Sequence, residues 1–243
     1  MANGYVIYEG PSAIDGAPIV VIATGFETAS RNAKTGAMVQ TYILRADMAP
    51  AEAIATGADA SICGACPHRG DGAGKGRSCY VAIWQGPRVV FDGYRRGIYP
   101  RLSPAEAGAM AKGRMVRLGA YGDPAAAPID IWQGLIAQAA GHTGYTHQWR
   151  DISPDWRALV MASADSLAES FEAQSLGYRT FRVAARAGSA LPRKEIVCPA
   201  SEEAGRKVQC EACKACMGTN GKARASIVIA AHGSGAAVLR KAA

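Results

Sequence analysis

Between Met115 and Ala184 the chain alternates apolar runs of strand length with amphipathic stretches of helical spacing, and this alternation restricts the fold more than any other feature. "MVRLGAYGD" reads as a strand ending in a glycine-rich turn, "IDIWQGLIAQAAG" as an amphipathic helix and "TGYTHQW" as a short strand. "RALVMASAD" follows as a strand, "SLAESFEAQSLG" as a helix and "YRTFRVAA" as a strand. Strands joined by crossovers of about a dozen residues lie parallel, because a tight turn can connect only antiparallel neighbours. Upstream, "SPAEAGAMAKG" places Glu106 three residues after Ser103, the capping-box arrangement of a helix start. Trp132 shares a helical face with Ile129, Leu135 and Ile136 and is expected in the core. The N-terminal runs "YVIYEGPS", "APIVVIATG" and "NAKTGAMVQTYILR" predict short strands and hairpins, and a helix is expected after Pro50. "YVAIWQGPRVVFDGYRRG" has helical spacing up to Gly97, and "ASIVIAAHG" reads as a closing strand. The expectation is an α/β protein: a partial (β/α) barrel with parallel strands over 1–186, opened by N-terminal β-hairpins, and a loop-rich C-terminal metal-cluster extension over 187–243 packed on the same domain. A chain of 243 residues is long enough to bury such a core.

Polar residues gather where these strands should end: Tyr121 and Asp123, Thr146 and His147, Ser163, Asp165 and Ser166, then Arg182 and Arg186. In a βα barrel the carboxyl ends of the strands form the active face, so these positions imply one shared site. His147 is the candidate for proton handling or substrate contact, with Asp123 and Asp165 beside it as candidate catalytic carboxylates.

Seven cysteines fall in two groups. No run approaches the roughly 20 apolar residues of a membrane span, and the N-terminus lacks the basic and apolar regions of a signal peptide. A cytoplasmic protein is expected, without membrane contact, and clustered thiols there are metal ligands or catalytic groups rather than disulfides. Cys210, Cys213 and Cys216 have the CxxCxxC spacing, and Cys198 precedes a proline. Ferredoxins hold a [4Fe–4S] cluster in this way, with a remote Cys-Pro supplying the fourth ligand. Zinc held by the same four thiolates, or by three of them and His232, is the alternative. Cys63, Cys66 and Cys79 offer three thiolates, which leave one corner of a second [4Fe–4S] cluster open to a small-molecule cosubstrate. His68 is an alternative fourth ligand, giving a Cys₃His site suited to zinc or to a sealed cluster. The spacer "RGDGAGKGR" is not a phosphate loop, since Arg69 and Gly76 stand where that motif needs Gly and Ser or Thr; Arg69, Lys75 and Arg77 are expected to attract an anion. Without a Gly-x-Ser-x-Gly elbow, no Ser/His/Asp triad is assigned.

The segments "SICGACPHRG...SCYV", "VRLGAYGD", "GYTHQW", "MASAD" and "VCPASEEAG...CEACKACMG" resemble a family of phage and plasmid iron–sulfur proteins whose cysteine loop ends in Cys-Tyr-Ala or Cys-Tyr-Val. That family is in turn similar to radical S-adenosylmethionine (SAM) enzymes. The resemblance implies an incomplete βα barrel in which Cys63, Cys66 and Cys79 hold the SAM-binding cluster and the tail cysteines an auxiliary one. Tyr80 would lie beside the first cluster, and Gly119, Tyr121, Gly122 and Asp123 at the strand end that receives the methionine amino group. The open iron would chelate the amino and carboxylate groups of SAM, whose reductive cleavage, fed by an electron donor, gives a carbon radical that abstracts hydrogen from the substrate. Cys79 departs from the compact CxxxCxxC loop of those enzymes, and the acidic motif is reduced to Asp123.

Two other readings use the same residues. A zinc-stabilised βα-barrel base-exchange enzyme, similar to the queuine-type family, would employ Asp123 or Asp165 as nucleophile. A non-catalytic, metal-stabilised nucleic-acid-binding protein would use the surplus of 27 basic over 20 acidic residues, a net charge of +7. That surplus suits a nucleotide or nucleic-acid partner. An aromatic content of 7% is thin for base stacking. The bound metal and turnover of SAM separate the three.

Overall fold

In the computed structural model, which describes residues 1–186, 194–205, 208–219, 224–233 and 235–242, the strand-forming text builds two open five-stranded sheets. The first runs in the order β1 (Gly4–Pro11), β2 (Pro18–Thr24), β3 (Val39–Arg45), β4 (Met115–Tyr121) and β5 (Gly141–Thr143). Its β1–β2 and β2–β3 pairs are antiparallel, while β3–β4 and β4–β5 are parallel. The second contains β6 (Tyr145–Thr146), β7 (Met161–Ala164), β8 (Thr180–Ala184), β9 (Glu195–Val197) and β10 (Ser226–Ala230). Its order is β6-β7-β8-β10-β9 and every pair is parallel. The protein is thus mixed α/β with parallel strands. Gly144 alone separates β5 from β6, and its carbonyl accepts from the Met161 amide at 2.9 Å, so the chain passes from one sheet to the other through that residue.

Helices occupy the crossovers: α1 (Pro50–Ala55), α2 (Ala60–Cys63), α3 (Gly86–Arg95), α4 (Pro104–Met110), α5 (Ile129–Ile136) and α6 (Leu167–Ser175) precede the tail helices α7 (Cys210–Cys213) and α8 (Ala236–Ala242). The capping box forms at α4: Ser103 Oγ accepts from the Glu106 amide at 3.3 Å and Glu106 Oε2 from the Ser103 amide at 2.8 Å. A Cβ at Gly108 would collide with the Gly134 carbonyl, so α4 and α5 meet backbone to backbone. Helical spacing from Tyr80 is realised only from Gly86, because Pro87 lacks an amide hydrogen and fits only the first turn of α3.

The β2 residues Ile19, Val20, Val21 and Ile22 are fully buried, as expected of a strand covered on both faces. Trp132 is fully buried as its spacing suggests, with its indole N–H donating to the Pro124 carbonyl at 2.9 Å. In the tail, β10 inserts between β8 and β9, and Ile227 and Ile229 pack with Met161, Cys198 and Cys216 in a second apolar cluster. Two arginines of the β8 segment hold the tail. Arg179 donates to the carbonyls of Ala215, Gly218 and Ala225 at 2.8, 2.7 and 2.5 Å. Arg182 spans β10 to grip Glu195 with two bonds, at 3.0 and 2.6 Å. The boundary anticipated at residue 187 lies outside the described residues. No helix is long and apolar enough to cross a membrane among the described residues.

A cavity lined by Cys63, Cys66, Cys79 and Cys210

The C-terminal ends of the parallel strands surround a cavity of about 420 Å³. Cys63, Cys66 and Cys79 line it together, and so does Cys210 of the tail group. Cys63 ends α2, and two contacts from Gln148 fix the loop behind it: Oε1 accepts from the Ala65 amide at 3.1 Å and Nε2 donates to the Cys63 carbonyl at 3.1 Å. The glycine-rich spacer then returns to the same place, where the His68 carbonyl accepts from the amides of Ser78 and Cys79 at 3.2 and 3.1 Å. The sequence gives the spacing of the three thiols, and this loop-closing pairing brings the third beside the other two.

Burial pushes the Cys63 thiol well above its ordinary range, and the nearby Cys66 and Cys79 thiols push it the same way. Burial also raises Cys79, against the pull of Arg77. In the tail, burial drives Cys216 up to about 12 against a hydrogen bond from Tyr145, and Cys198, Cys210 and Cys213 add to the rise. Each set therefore consists of thiols close enough to oppose one another's ionisation, and a bound cation would relieve this by taking them as thiolates. Tetrahedral zinc, with Zn–S bonds of about 2.3 Å, would draw its sulfurs to about 3.8 Å from one another. Among the described residues no three cysteine sulfurs lie within 4.8 Å of one another. The donor chemistry suits a soft metal ion and an iron–sulfur cluster alike.

At the end of β4, Gly119 has φ +69° and Gly122 φ +81°, and a Cβ on Gly122 would sit 2.7 Å from Ile43 Cβ. Only glycine fits that turn, which aims Tyr121 and Asp123 at the cavity wall. The Tyr121 hydroxyl is buried without a hydrogen-bond partner among the described residues, and burial raises its pKa far above the ordinary phenol value. Such an orphaned donor suits a cavity that receives a polar group. Asp123 is different. Its carboxylate accepts from the amides of Ala125 and His147 at 3.0 and 2.8 Å and from Gln148 Nε2 at 3.3 Å, while burial raises its pKa. It ties β4 to the segment after β6.

His68, His147 and Asp165 meet at the cavity edge. His68 Nε2 lies 2.8 Å from Asp165 Oδ1 and its Nδ1 lies 2.7 Å from Ser78 Oγ. His147 Nε2 lies 3.2 Å from Asp165 Oδ2. Burial alone would lower the pKa of His147, but Asp165 and Cys66 outweigh it and hold the imidazole at about 10. Burial likewise opposes ionisation of Asp165, yet the two histidines hold its carboxyl well below the ordinary range. His68 is thus engaged by both Asp165 and Ser78.

Tyr80 lines the cavity as anticipated, accepting from Arg117 Nη2 at 2.5 Å and facing His232 with ring centroids 5.8 Å apart. Ser163 also lines the cavity, whereas Ser166 caps α6 and Arg182 is consumed by Glu195. Arg69, expected to attract an anion, pairs with Asp59 at 2.6 Å, and Arg77 lies 4.0 Å from the same carboxylate. Sequence reasoning passed over Gln148, Ser78, Lys34 and Arg117. The last two are cations on the cavity wall near Cys210 and carried no motif to single them out. Comparison with protein-family models, curated proteins and solved structures finds no match to this chain.

Proposed function

We propose that the protein is an iron–sulfur, radical-SAM-like enzyme of a mobile genetic element, acting on an anionic substrate of the nucleotide or nucleic-acid class. In this reading the two sheets, continuous through Gly144, act as an incomplete barrel whose strand ends surround the reaction chamber. The observation that carries it is the convergence of Cys63, Cys66, Cys79 and the Gly119–Asp123 turn on one cavity, with Cys210 in its wall. Cys63, Cys66 and Cys79 would hold an open [4Fe–4S] cluster, and Cys198, Cys210, Cys213 and Cys216 a closed one. When bound, the first cluster would supply the reductive cleavage of SAM. The chain itself does the rest: Asp123 and Gln148 fix the cysteine loop, the glycine turn lets SAM approach the β4 backbone, and the buried Tyr121 hydroxyl offers a hydrogen bond. Arg117 and Lys34 supply positive charge for a phosphate or carboxylate at the far wall, and His147 with Asp165 forms the polar side against which the substrate lies.

The test is anaerobic incubation of the iron-loaded protein with SAM and dithionite, followed by chromatography for 5′-deoxyadenosine. Cleavage by the wild type, lost in Cys79→Ala and kept in Cys213→Ala, is the expected result. Absence of cleavage by a fully iron-loaded wild type would remove SAM from the reading.

A further inference from the structure

His68, His147 and Asp165 come from three separate segments, yet their ligand atoms all lie within 4.8 Å of one another. The two imidazole–carboxylate separations are 2.8 and 3.2 Å. Adjacent ligands around an octahedral ion with bonds of about 2.1 Å lie about 3 Å apart, so these are the spacings of neighbouring coordination positions. Both histidines present Nε2 to the carboxylate. His68 is held in that orientation by the 2.7 Å contact of Nδ1 with Ser78 Oγ, the kind of outer partner that fixes a ligating imidazole. The His147 backbone is pinned by its amide's hydrogen bond to Asp123 Oδ2 at 2.8 Å. Side-chain exposures of 14%, 17% and 22% leave the group reachable, and all three residues line the cavity.

We propose that His68, His147 and Asp165 bind one divalent first-row cation of the Mn²⁺ or Fe²⁺ kind through two Nε2 atoms and one carboxylate, with its remaining positions open to an oxygen donor of the substrate. Two histidines and a carboxylate with open positions suit such ions, whereas soft thiolates select clusters and zinc. The site is thus chemically distinct from both cysteine groups and does not rest on the iron–sulfur reading. A hydrogen-bonded cluster without metal is the competing explanation of the same geometry: there each Nε2–H donates to Asp165 and no ion is retained.

The experiment uses the full chain, freed of metal with a chelator under anaerobic conditions and titrated with Mn²⁺, which prefers nitrogen and oxygen donors to thiolates. Free Mn²⁺ is read by electron paramagnetic resonance, and pulsed measurements read the nitrogen couplings of bound imidazole. A single ion with directly bound nitrogen in the wild type is expected. Asp165→Asn and His147→Gln should weaken binding at least tenfold, and Ser78→Ala should weaken it by about tenfold through the lost outer partner. Arg88→Gln, on the exposed face of α3 away from the cavity, should bind Mn²⁺ as the wild type does. No bound Mn²⁺, or bound Mn²⁺ without nitrogen coupling, overturns the site, and the wild-type spectrum decides this even where a variant fails to fold. Unchanged binding in Asp165→Asn, or an equal loss in Arg88→Gln, overturns it as well. Iron and sulfide content judges the iron–sulfur reading separately.

Discussion

His142 on β5 is 7% exposed, with Nε2 2.9 Å from the Leu159 carbonyl. Burial lowers its pKa below the ordinary value near 6.5, against backbone hydrogen bonds that oppose the shift. The folded protein therefore takes up this proton only at lower pH than the unfolded chain does. The contribution is full above about pH 6.5 and is lost as pH falls through the folded value. As pH falls from about 6.5 to about 5 in urea unfolding, the midpoint of the wild type should fall relative to that of His142→Gln, against the opposite slope that the raised pKa of His147 gives both proteins. An unchanged slope in the variant would contradict the assignment. At Gly122, Ala should cost about 1–3 kcal/mol, since it adds a Cβ contact to positive φ. Gly16→Ala, which shares the positive φ but meets nothing within 4 Å, should cost less in the same denaturation series. Single residues also mark how far the sequence could be read. Alternation placed Asp123 and Arg182 at strand ends, but the side of the sheet and the partners came from the fold: Asp123 meets amides after β4 and β6, and Arg182 meets Glu195 beyond β10. His68 and Asp165 are 97 residues apart, and no local pattern announces their contact.

Among the elements, those with a strong local signal formed where expected: α4 from its capping box, α5 and α6 from their periodicity, β4 and β10 from their apolar runs. Elements set by tertiary pairing were less legible. The segment around "TGYTHQW" divides at Gly144 into β5 and β6, which belong to different sheets, because each pairs with a different neighbour. The tail holds to β8 through the buried Arg182–Glu195 pair, with side chains 7% and 1% exposed. Glu195→Gln leaves a buried guanidinium without its counter-charge and should cost roughly 3–5 kcal/mol in chemical denaturation. A loss under about 1 kcal/mol would show that water reaches the pair. Arg179→Met removes the donor shared by three tail carbonyls and should lower metal retention by the tail cysteines while leaving the first group loaded.

At the scale of the whole molecule, Cys63, Cys66 and Cys79 meet Cys210, from the distant tail group, at one cavity walled by parallel strand ends. The sequence showed two groups of metal-ligand spacing, and their approach follows from β10 inserting beside β8 and bringing the tail to the strand ends. If the groups are separate centres, Cys79→Ala should remove about half of the iron and spare the tail cluster. The most direct measurement is anaerobic purification followed by iron, sulfide and zinc analysis with an absorption spectrum. About eight irons with matching sulfide, and a brown chromophore bleached by dithionite, are expected of two cubane clusters. Zinc without sulfide would contradict the central claim and leave a zinc-stabilised α/β protein.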